Sequence, residues 1–122
     1  MVNFVGAGPG AVDLITVRGK ELLEQADVII YAGSLVNPEL LDCKKKECEV
    51  YNSAYMTLEE VLDVIRKAEE DGKMTVRLHT GDPCLYGAVR EQMDALDEMG
   101  VSYEVCPGVS SFCGAAAALH AE

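Results

Sequence analysis

Short apolar runs alternate along the chain with segments in which apolar residues recur every three or four positions. The runs predict five strands, at residues 2–5, Val28–Tyr31, Glu49–Asn52, 74–79 and 101–106, with the third expected at a sheet edge. Because each strand is followed by a helical segment or a turn, the pattern is typical of an α/β domain. We therefore predict a five-stranded parallel sheet flanked by helices.

The segments between the predicted strands contain signals for the starts and ends of helices. Thr57 and Glu60 form a capping box that begins one helix, and Asp71-Gly72 ends it. One further predicted helix begins near Thr16, and a short helix or turn covers 39–48. Another helix follows directly after Pro83, with Tyr86, Val89, Met93 and Leu96 on one face and Gly100 as its C-cap. A small-residue helix begins at about 111 and continues to Glu122.

Three of the predicted strands end in segments rich in glycine, proline and hydroxyl residues, at 6–10, 80–83 and 107–111. In parallel sheets, ligands bind beyond the carboxyl ends of the strands, so these segments predict a binding site at one edge of the sheet. The alternative is that the glycines form tight turns without a ligand and that Asp82 caps the helix after Pro83.

Composition and charge narrow the possible functions. The 122 residues, 49% of them hydrophobic, suffice for one packed domain. Asp and Glu number 21 against 10 Lys and Arg, giving a net charge of −11, which disfavours binding to nucleic acid. No apolar stretch approaches the roughly 20 residues that span a bilayer, and the first residues lack a signal-peptide pattern. We expect a cytoplasmic protein without a membrane partner.

The cysteines and histidines do not suggest a metal site or a disulfide framework. The five cysteines contain no CxxC pair, and the two histidines, His79 and His120, stand apart in the sequence. We expect reduced thiols, with Cys84, Cys106 and Cys113 as small buried residues near the binding edge. His79 is expected to be a strand-end histidine whose hydrogen bonds are satisfied within the fold.

The first glycine-rich segment is similar to a dinucleotide fingerprint but lacks three of its physical features. Pro9 removes a backbone N–H, the helix begins only near Thr16, and Ala32 follows the second strand where an acid would bind a ribose. No Gly-Lys-Ser/Thr follows, which excludes a phosphate-binding P-loop. A nucleoside with an amino-acid tail and no phosphate fits better. S-adenosylmethionine is such a molecule, and its sulfonium requires neither a metal nor a covalent nucleophile.

Several longer runs together resemble the tetrapyrrole methylase family. The first runs are Val5-Gly6-Ala7-Gly8-Pro9-Gly10, Asp13-Leu14-Ile15-Thr16-Val17-Arg18-Gly19 and Ala26-Asp27-Val28-Ile29-Ile30-Tyr31-Ala32-Gly33-Ser34-Leu35-Val36. The runs His79-Thr80-Gly81-Asp82-Pro83, Tyr86-Gly87-Ala88 and Glu91-Gln92-Met93 are similar to the branch that methylates carbon 11 of precorrin-4 or cobalt-precorrin-4 in cobalamin biosynthesis.

The resemblance implies a two-domain methyltransferase, usually a homodimer, that binds S-adenosylmethionine between its domains and methylates a corrin precursor. Its first domain would be a parallel sheet of order 3-2-4-1-5. The residues implied as donor contacts are Pro9, Thr80, Gly81, Asp82, Leu85, Ser110 and Ser111. No catalytic residue is implied, since the uroporphyrinogen-III branch has an acid proposed as a base where this chain has Ala32.

The length of the chain is consistent with only the first of these two domains. We expect residues 1–122 to form the N-terminal α/β domain, with the C-terminal domain absent and the isolated chain inactive. The alternatives are another member of the superfamily, acting on a different corrin precursor, RNA or protein, and a non-catalytic fragment that only binds ligand or dimerises. Arg18, Lys20 and Arg90 are either contacts for substrate carboxylates or plain surface charges.

Overall fold

The computed structural model describes residues 1–85 and 88–122. The strands are β1 (Val2–Gly6), β2 (Val28–Tyr31), β3 (Glu49–Asn52), β4 (Thr75–His79) and β5 (Tyr103–Cys106). The helices are α1 (Val17–Gln25), α2 (Leu58–Glu70), α3 (Arg90–Met99) and α4 (Ser111–Leu119), and short 3-10 helices lie at Val12–Leu14, Gly33–Leu35, Pro38–Cys43 and Ser53–Tyr55. Over these described ranges, no helix has both the length and the apolar character that crossing a membrane requires.

All neighbouring strands of the sheet are parallel, and their order is β3-β2-β4-β1-β5. The predicted fold class and strand order are therefore confirmed. The carboxyl ends of all the strands lie at one edge of the sheet, where Gly6 of β1 is level with His79 of β4. Because β4, β1 and β5 are adjacent, the three loops that follow them are also adjacent.

Two apolar clusters cover the two faces of the sheet, as expected for strands buried on both sides. On one face, α1 and the Pro38–Cys43 helix pack on alternate strand residues, including Val5, Ile29, Val76 and Leu78. On the other face, α2 and α3 pack on the intervening residues, including Val2, Phe4, Val28 and Ile30.

At the starts of α1 and α2, side chains accept hydrogen bonds from backbone N–H groups that have no partner within the helix. Thr16 accepts a hydrogen bond from the Gly19 amide at 3.0 Å and begins α1. Thr57 and Glu60 form the reciprocal capping box at the start of α2, which confirms that prediction. At the end of α3, Gly100 is the left-handed C-cap, also as predicted.

Two helix boundaries differ from the sequence interpretation. Helix α3 does not follow Pro83 but begins at Arg90, with Val89 as its N-cap, so the interpretation of Asp82 as its cap is wrong. Val89, Met93 and Leu96 share one cluster as predicted, whereas Tyr86 lies outside the described residues. Helix α4 ends at Leu119, where His120 has a positive φ of 53°, so the expectation that it continues to Glu122 is wrong.

A buried arginine interrupts the second cluster. Arg77, in the centre of β4, donates hydrogen bonds to Gln92 Oε1 at 3.0 Å and to the Ile30 carbonyl at 3.2 Å. Burial lowers the pKa of its guanidinium to about 10. Its recorded acceptors are thus an amide and a backbone carbonyl, both neutral.

Candidate functional site

The loops after β1 and β4 are joined by backbone hydrogen bonds. Gly8 and Gly81 form an antiparallel bridge, with N···O distances of 3.2 Å and 2.8 Å in the two directions. The Ala7 amide also donates to the His79 carbonyl at 2.6 Å. The two glycine-bearing segments that the sequence singled out therefore form one connected surface.

The loop after β5 packs against both of the others. A Cβ added to Gly108 would lie 2.2 Å from the Gly81 carbonyl oxygen and 2.7 Å from the Gly6 Cα, so only glycine fits at this position. The Gly108 amide donates to Asp82 Oδ2 at 2.9 Å. All three predicted segments thus meet at the carboxyl edge of the sheet.

Asp82 uses both carboxylate oxygens in bonds to the backbone. Oδ1 accepts from the Cys84 amide at 2.8 Å, within its own loop, and Oδ2 accepts from Gly108 in the next loop. The side chain is half-buried. Its carboxylate connects the β4 and β5 loops.

Pro9 and the two serines lie where α4 meets the three loops. A Cβ on Gly114 of α4 would lie 2.5 Å from the Pro9 Cβ, so the helix packs directly on the proline ring. Ser110 is the N-cap of α4 and accepts from the Phe112 amide at 3.2 Å. The Ser111 amide nitrogen lies 3.3 Å from the position of a Cβ on Gly81. Pro9, Gly81 and both serines are therefore close together.

Thr80 and Leu85 complete the predicted set. Thr80 Oγ1 is buried and has no hydrogen-bond partner among the described residues. A buried hydroxyl without a partner is destabilising, and a ligand atom at this edge could satisfy it. Leu85 follows the Asp82 turn, its side chain is 51% exposed, and its backbone amide donates to the Asp82 carbonyl at 3.2 Å.

His79 is buried, but its side chain does not have all its hydrogen bonds satisfied within the fold, contrary to the expectation from the sequence. Its ring stacks on Phe4 with centroids 6.1 Å apart, and its Nε2 has no partner within the described part of the chain. Burial, followed by the charge of Arg77, lowers the imidazole pKa to about 4. His79 is therefore a neutral, polar group beneath the binding edge at neutral pH.

Exposed apolar side chains follow every strand at this edge, and the sequence analysis assigned a role to only one of them, Leu85. They are Val12 and Leu14 after β1, Leu35 after β2, Tyr55 after β3, Leu85 after β4 and Phe112 after β5. The signal in the sequence was an apolar residue within the segment that directly follows each strand. This edge combines exposed apolar side chains with a few polar ones, such as Thr80 and Asp82, which is typical of ligand sites.

The charged candidates lie on helices that pack against opposite faces of the sheet. Arg18 and Lys20 are exposed on α1, and exposed Arg90 lies 3.7 Å from Asp94. A groove of about 740 Å³ separates the β1–α1 loop from the Pro38–Cys43 helix, and its lining includes Lys20 and three acids, Asp13, Glu39 and Asp42. The structure thus does not gather the basic side chains into one patch.

The cysteines lie only partly where they were expected. Cys106 is buried, but Cys84 and Cys113 are exposed, so the expectation of burial is wrong for those two. They lie in loops and at a helix start, outside the strand interiors that bury small residues. Within residues 1–85 and 88–122, no three His, Cys, Asp or Glu side chains are grouped as a metal site requires.

Three known proteins are similar to this chain over almost its whole length. The cobalt-precorrin-4 C(11)-methyltransferase of Methanocaldococcus jannaschii is 58% identical over 121 residues, covering 99% of this chain and 47% of that protein. The solved structure of the cobalt precorrin-4 methyltransferase CbiF, which has 50% identity, matches with a TM-score of 0.96 and covers 99% and 51% of the two chains. Uroporphyrin-III C-methyltransferase from Thermus thermophilus, complexed with S-adenosylhomocysteine, matches at 36% identity with a TM-score of 0.75, covering 90% and 45%.

The chain spans about half the length of these relatives. The sequence profile of the tetrapyrrole (corrin/porphyrin) methylases matches residues 1–122 without a gap at either end. The strand order agrees with the order that this family resemblance implied. The chain therefore belongs to the tetrapyrrole (corrin/porphyrin) methylase family.

Proposed function

We propose that this chain is the N-terminal half of an S-adenosylmethionine-dependent enzyme that methylates carbon 11 of precorrin-4 or cobalt-precorrin-4 in cobalamin biosynthesis. The observation that carries the methyl-donor site is the junction of the β1, β4 and β5 loops around Gly6, Gly81 and Gly108. The choice of substrate is supported by the 58% identity to a cobalt-precorrin-4 C(11)-methyltransferase.

The chemistry of the three loops fits this donor. Residues 6–14, 80–85 and 107–113 contain no Lys or Arg, so they offer no cationic side chain for a phosphate, which favours a nucleoside without one. The unpaired Thr80 hydroxyl can bond a ribose or amino-acid oxygen, and exposed Leu85 and Phe112 can contact the adenine. Pro9, Gly81, Ser110, Ser111 and the backbone of the Asp82 turn would form the remaining surface.

The contribution of this chain to the reaction is positioning. S-adenosylmethionine, when bound, supplies an activated methyl group that is transferred to a carbon of the macrocycle, leaving S-adenosylhomocysteine. Holding the donor on a preformed surface converts an encounter between two molecules into an aligned reaction within one complex. The apolar side chains around the edge would exclude water from the macrocycle when the second domain covers them.

The substitution Thr80→Val tests the donor site. It removes the unpaired hydroxyl while keeping the shape of the side chain, so we expect unchanged or higher stability but roughly tenfold weaker binding of S-adenosylhomocysteine, from the loss of one buried hydrogen bond. Thermal unfolding and titration calorimetry measure the two effects. Thr75→Val is the matched control, because Thr75 has the same unpaired buried hydroxyl at the opposite end of β4. Equal binding by the wild type and Thr80→Val would contradict the assignment of Thr80.

Turnover is proposed only for the longer protein. The relatives are about twice as long as this chain, so the isolated chain is expected to bind the donor without methylating the substrate. The proposal includes a cytosolic homodimer. Sedimentation of a protein extended by the second domain can check whether it is a dimer. Methyl transfer assayed with both proteins separates binding from catalysis, and turnover by the short chain would contradict this division.

A further inference from the structure

We infer that Asp82 is a positioning residue, whose carboxylate holds the β5 loop against the β4 loop and so sets the shape of the donor-binding surface. The inference rests on the proposed function for the identity of the donor. The hydrogen bonds that support the inference are within the protein itself. Their loss should change the protection of backbone amides, which is measurable without any ligand.

Asp82 is bonded to two loops at once. The Gly108 amide, 26 residues away in sequence, donates to Oδ2 at 2.9 Å, and the Cys84 amide donates to Oδ1 at 2.8 Å. The Leu85 amide bonds to the Asp82 carbonyl at 3.2 Å and closes the turn from which the side chain projects. Both carboxylate bonds are charge-assisted, and such bonds are about twice as strong as neutral ones.

The glycines and the carboxylate have complementary effects at this junction. Gly6, Gly81 and Gly108 allow the three backbones to approach, because any side chain on Gly108 would overlap Gly81 and Gly6. Absence of a side chain permits contact but provides no attraction. Among the described residues, the hydrogen bond from the Gly108 amide to Asp82 is the one in which a side chain joins the β4 and β5 loops.

A change at this bond would be transmitted to the proposed donor contacts. Gly108 precedes Ser110 and Ser111 by two and three residues, and the Ser111 amide already lies close to Gly81. Moving the Gly108 backbone away from Asp82 would therefore move the start of α4 relative to the β4 loop. All parts of the donor that contact this surface would be affected together.

This expectation distinguishes positioning from direct contact. A carboxylate that touched the donor would select its ammonium group or its ribose hydroxyls, because these are the hydrogen-bond donors that suit an anion. Loss of such a contact would weaken only ligands that possess the contacted group. Loss of a positioning bond would instead weaken all related ligands by the same factor.

The substitution Asp82→Asn in the 122-residue chain provides the first test. The neutral amide can accept from only one of the two backbone N–H groups and without charge assistance, so in either orientation the bond from Gly108 is weakened or lost. We expect hydrogen exchange at the Gly108 amide, measured by NMR without ligand, to accelerate at least several-fold. Asp94→Asn is the control, since Asp94 is exposed on α3. In the wild type, a scalar coupling across the hydrogen bond from the Gly108 nitrogen to Asp82 Cγ should be present. Absence of that coupling, or unchanged exchange in Asp82→Asn, would overturn the inference even if the variant proved unstable.

Ligand binding provides the second test. We expect Asp82→Asn to weaken binding of S-adenosylhomocysteine on the order of tenfold, and to weaken its 2′-deoxy and desamino analogues by the same factor. A loss that vanishes for one analogue would assign Asp82 a direct contact and overturn the positioning role. If the wild type bound no S-adenosylhomocysteine while Gly108 exchange still responded to the substitution, the proposed function would fail but the loop connection would stand.

Discussion

Glycines lie at both edges of the sheet, but their surroundings differ. At the carboxyl edge, a Cβ on Gly108 would lie 2.2 Å from the Gly81 carbonyl oxygen. At the amino edge, Gly100 has a φ of +70° and nothing within 4 Å of an added Cβ. Glycine is therefore required at the first edge for close contact between backbones and at the second for chain reversal after a helix.

We expect the loops at the two edges of the sheet to differ in their roles, in ligand binding at one edge and in folding alone at the other. The joined loops at the carboxyl edge form a surface whose shape depends on interatomic distances between distant segments. The loops at the amino edge depend on local conformation and on bonds such as that between Asp27 and Lys45. Changes to the closely packed backbones at the first edge should alter both stability and ligand binding, whereas changes at the second should alter stability alone.

Gly108→Ala should have the largest effect. Its methyl group would overlap backbone atoms that cannot rotate away, so we expect a loss of about 3 kcal/mol or more in unfolding free energy and loss of S-adenosylhomocysteine binding. Urea unfolding and calorimetry measure the two effects. In the matched control, Gly100→Ala, a left-handed alanine should cost about 1 kcal/mol and leave binding unchanged. Comparable binding defects in both variants would refute the division between the edges.

The next effect is the acid sensitivity contributed by His79. Its folded-state pKa of about 4 lies below its ordinary value of 6.5, so the unfolded chain takes up a proton that the folded chain does not. Above pH 6.5 the neutral imidazole does not reduce the free energy of unfolding. This free energy should fall by on the order of 3 kcal/mol as the pH approaches 4. Urea unfolding across this range measures the slope. The variant His79→Leu should have a flatter profile, and an unchanged slope would show that His79 is not the titrating group.

The smallest effect is expected at Asp27, at the amino edge. Hydrogen bonds from the Lys45 side chain and the Met74 amide lower its pKa below the ordinary 3.8. The resulting stability is present above that value and is lost as the pH falls through the lower folded-state pKa. Asp27→Asn should cost less than about 1 kcal/mol near neutral pH and flatten only the branch below pH 3.8. A change in donor binding would contradict the separation of the two edges.

The sheet could be predicted from the sequence because each strand is a short run that contains apolar residues and is followed by a turn or a helical segment. The capping box at Thr57 and the C-cap at Gly100 were predictable for the same local reason. The start of α3 was not, since apolar residues at helical spacing, such as Val89, continue into the loop before Arg90. Helical periodicity does not show where the backbone becomes helical.

The site was predictable in outline but not in its contacts. Glycine, proline and hydroxyl residues at three strand ends identified the edge, and the family resemblance supplied the particular residues. The bond from Gly108 to Asp82 and the unpaired nitrogen of His79 depend on distances across the sheet. No local pattern in the sequence specifies such distances.

The buried guanidinium of Arg77 constrains the register in which β4 pairs with its neighbours. Its acceptors, Gln92 and the Ile30 carbonyl, lie on the face covered by α2 and α3. A slip of one residue would turn every side chain of β4 to the opposite face and leave an ionised group in the apolar cluster of α1. Because this misaligned pairing would be costly, Arg77 favours the correct register of β4 in the sheet.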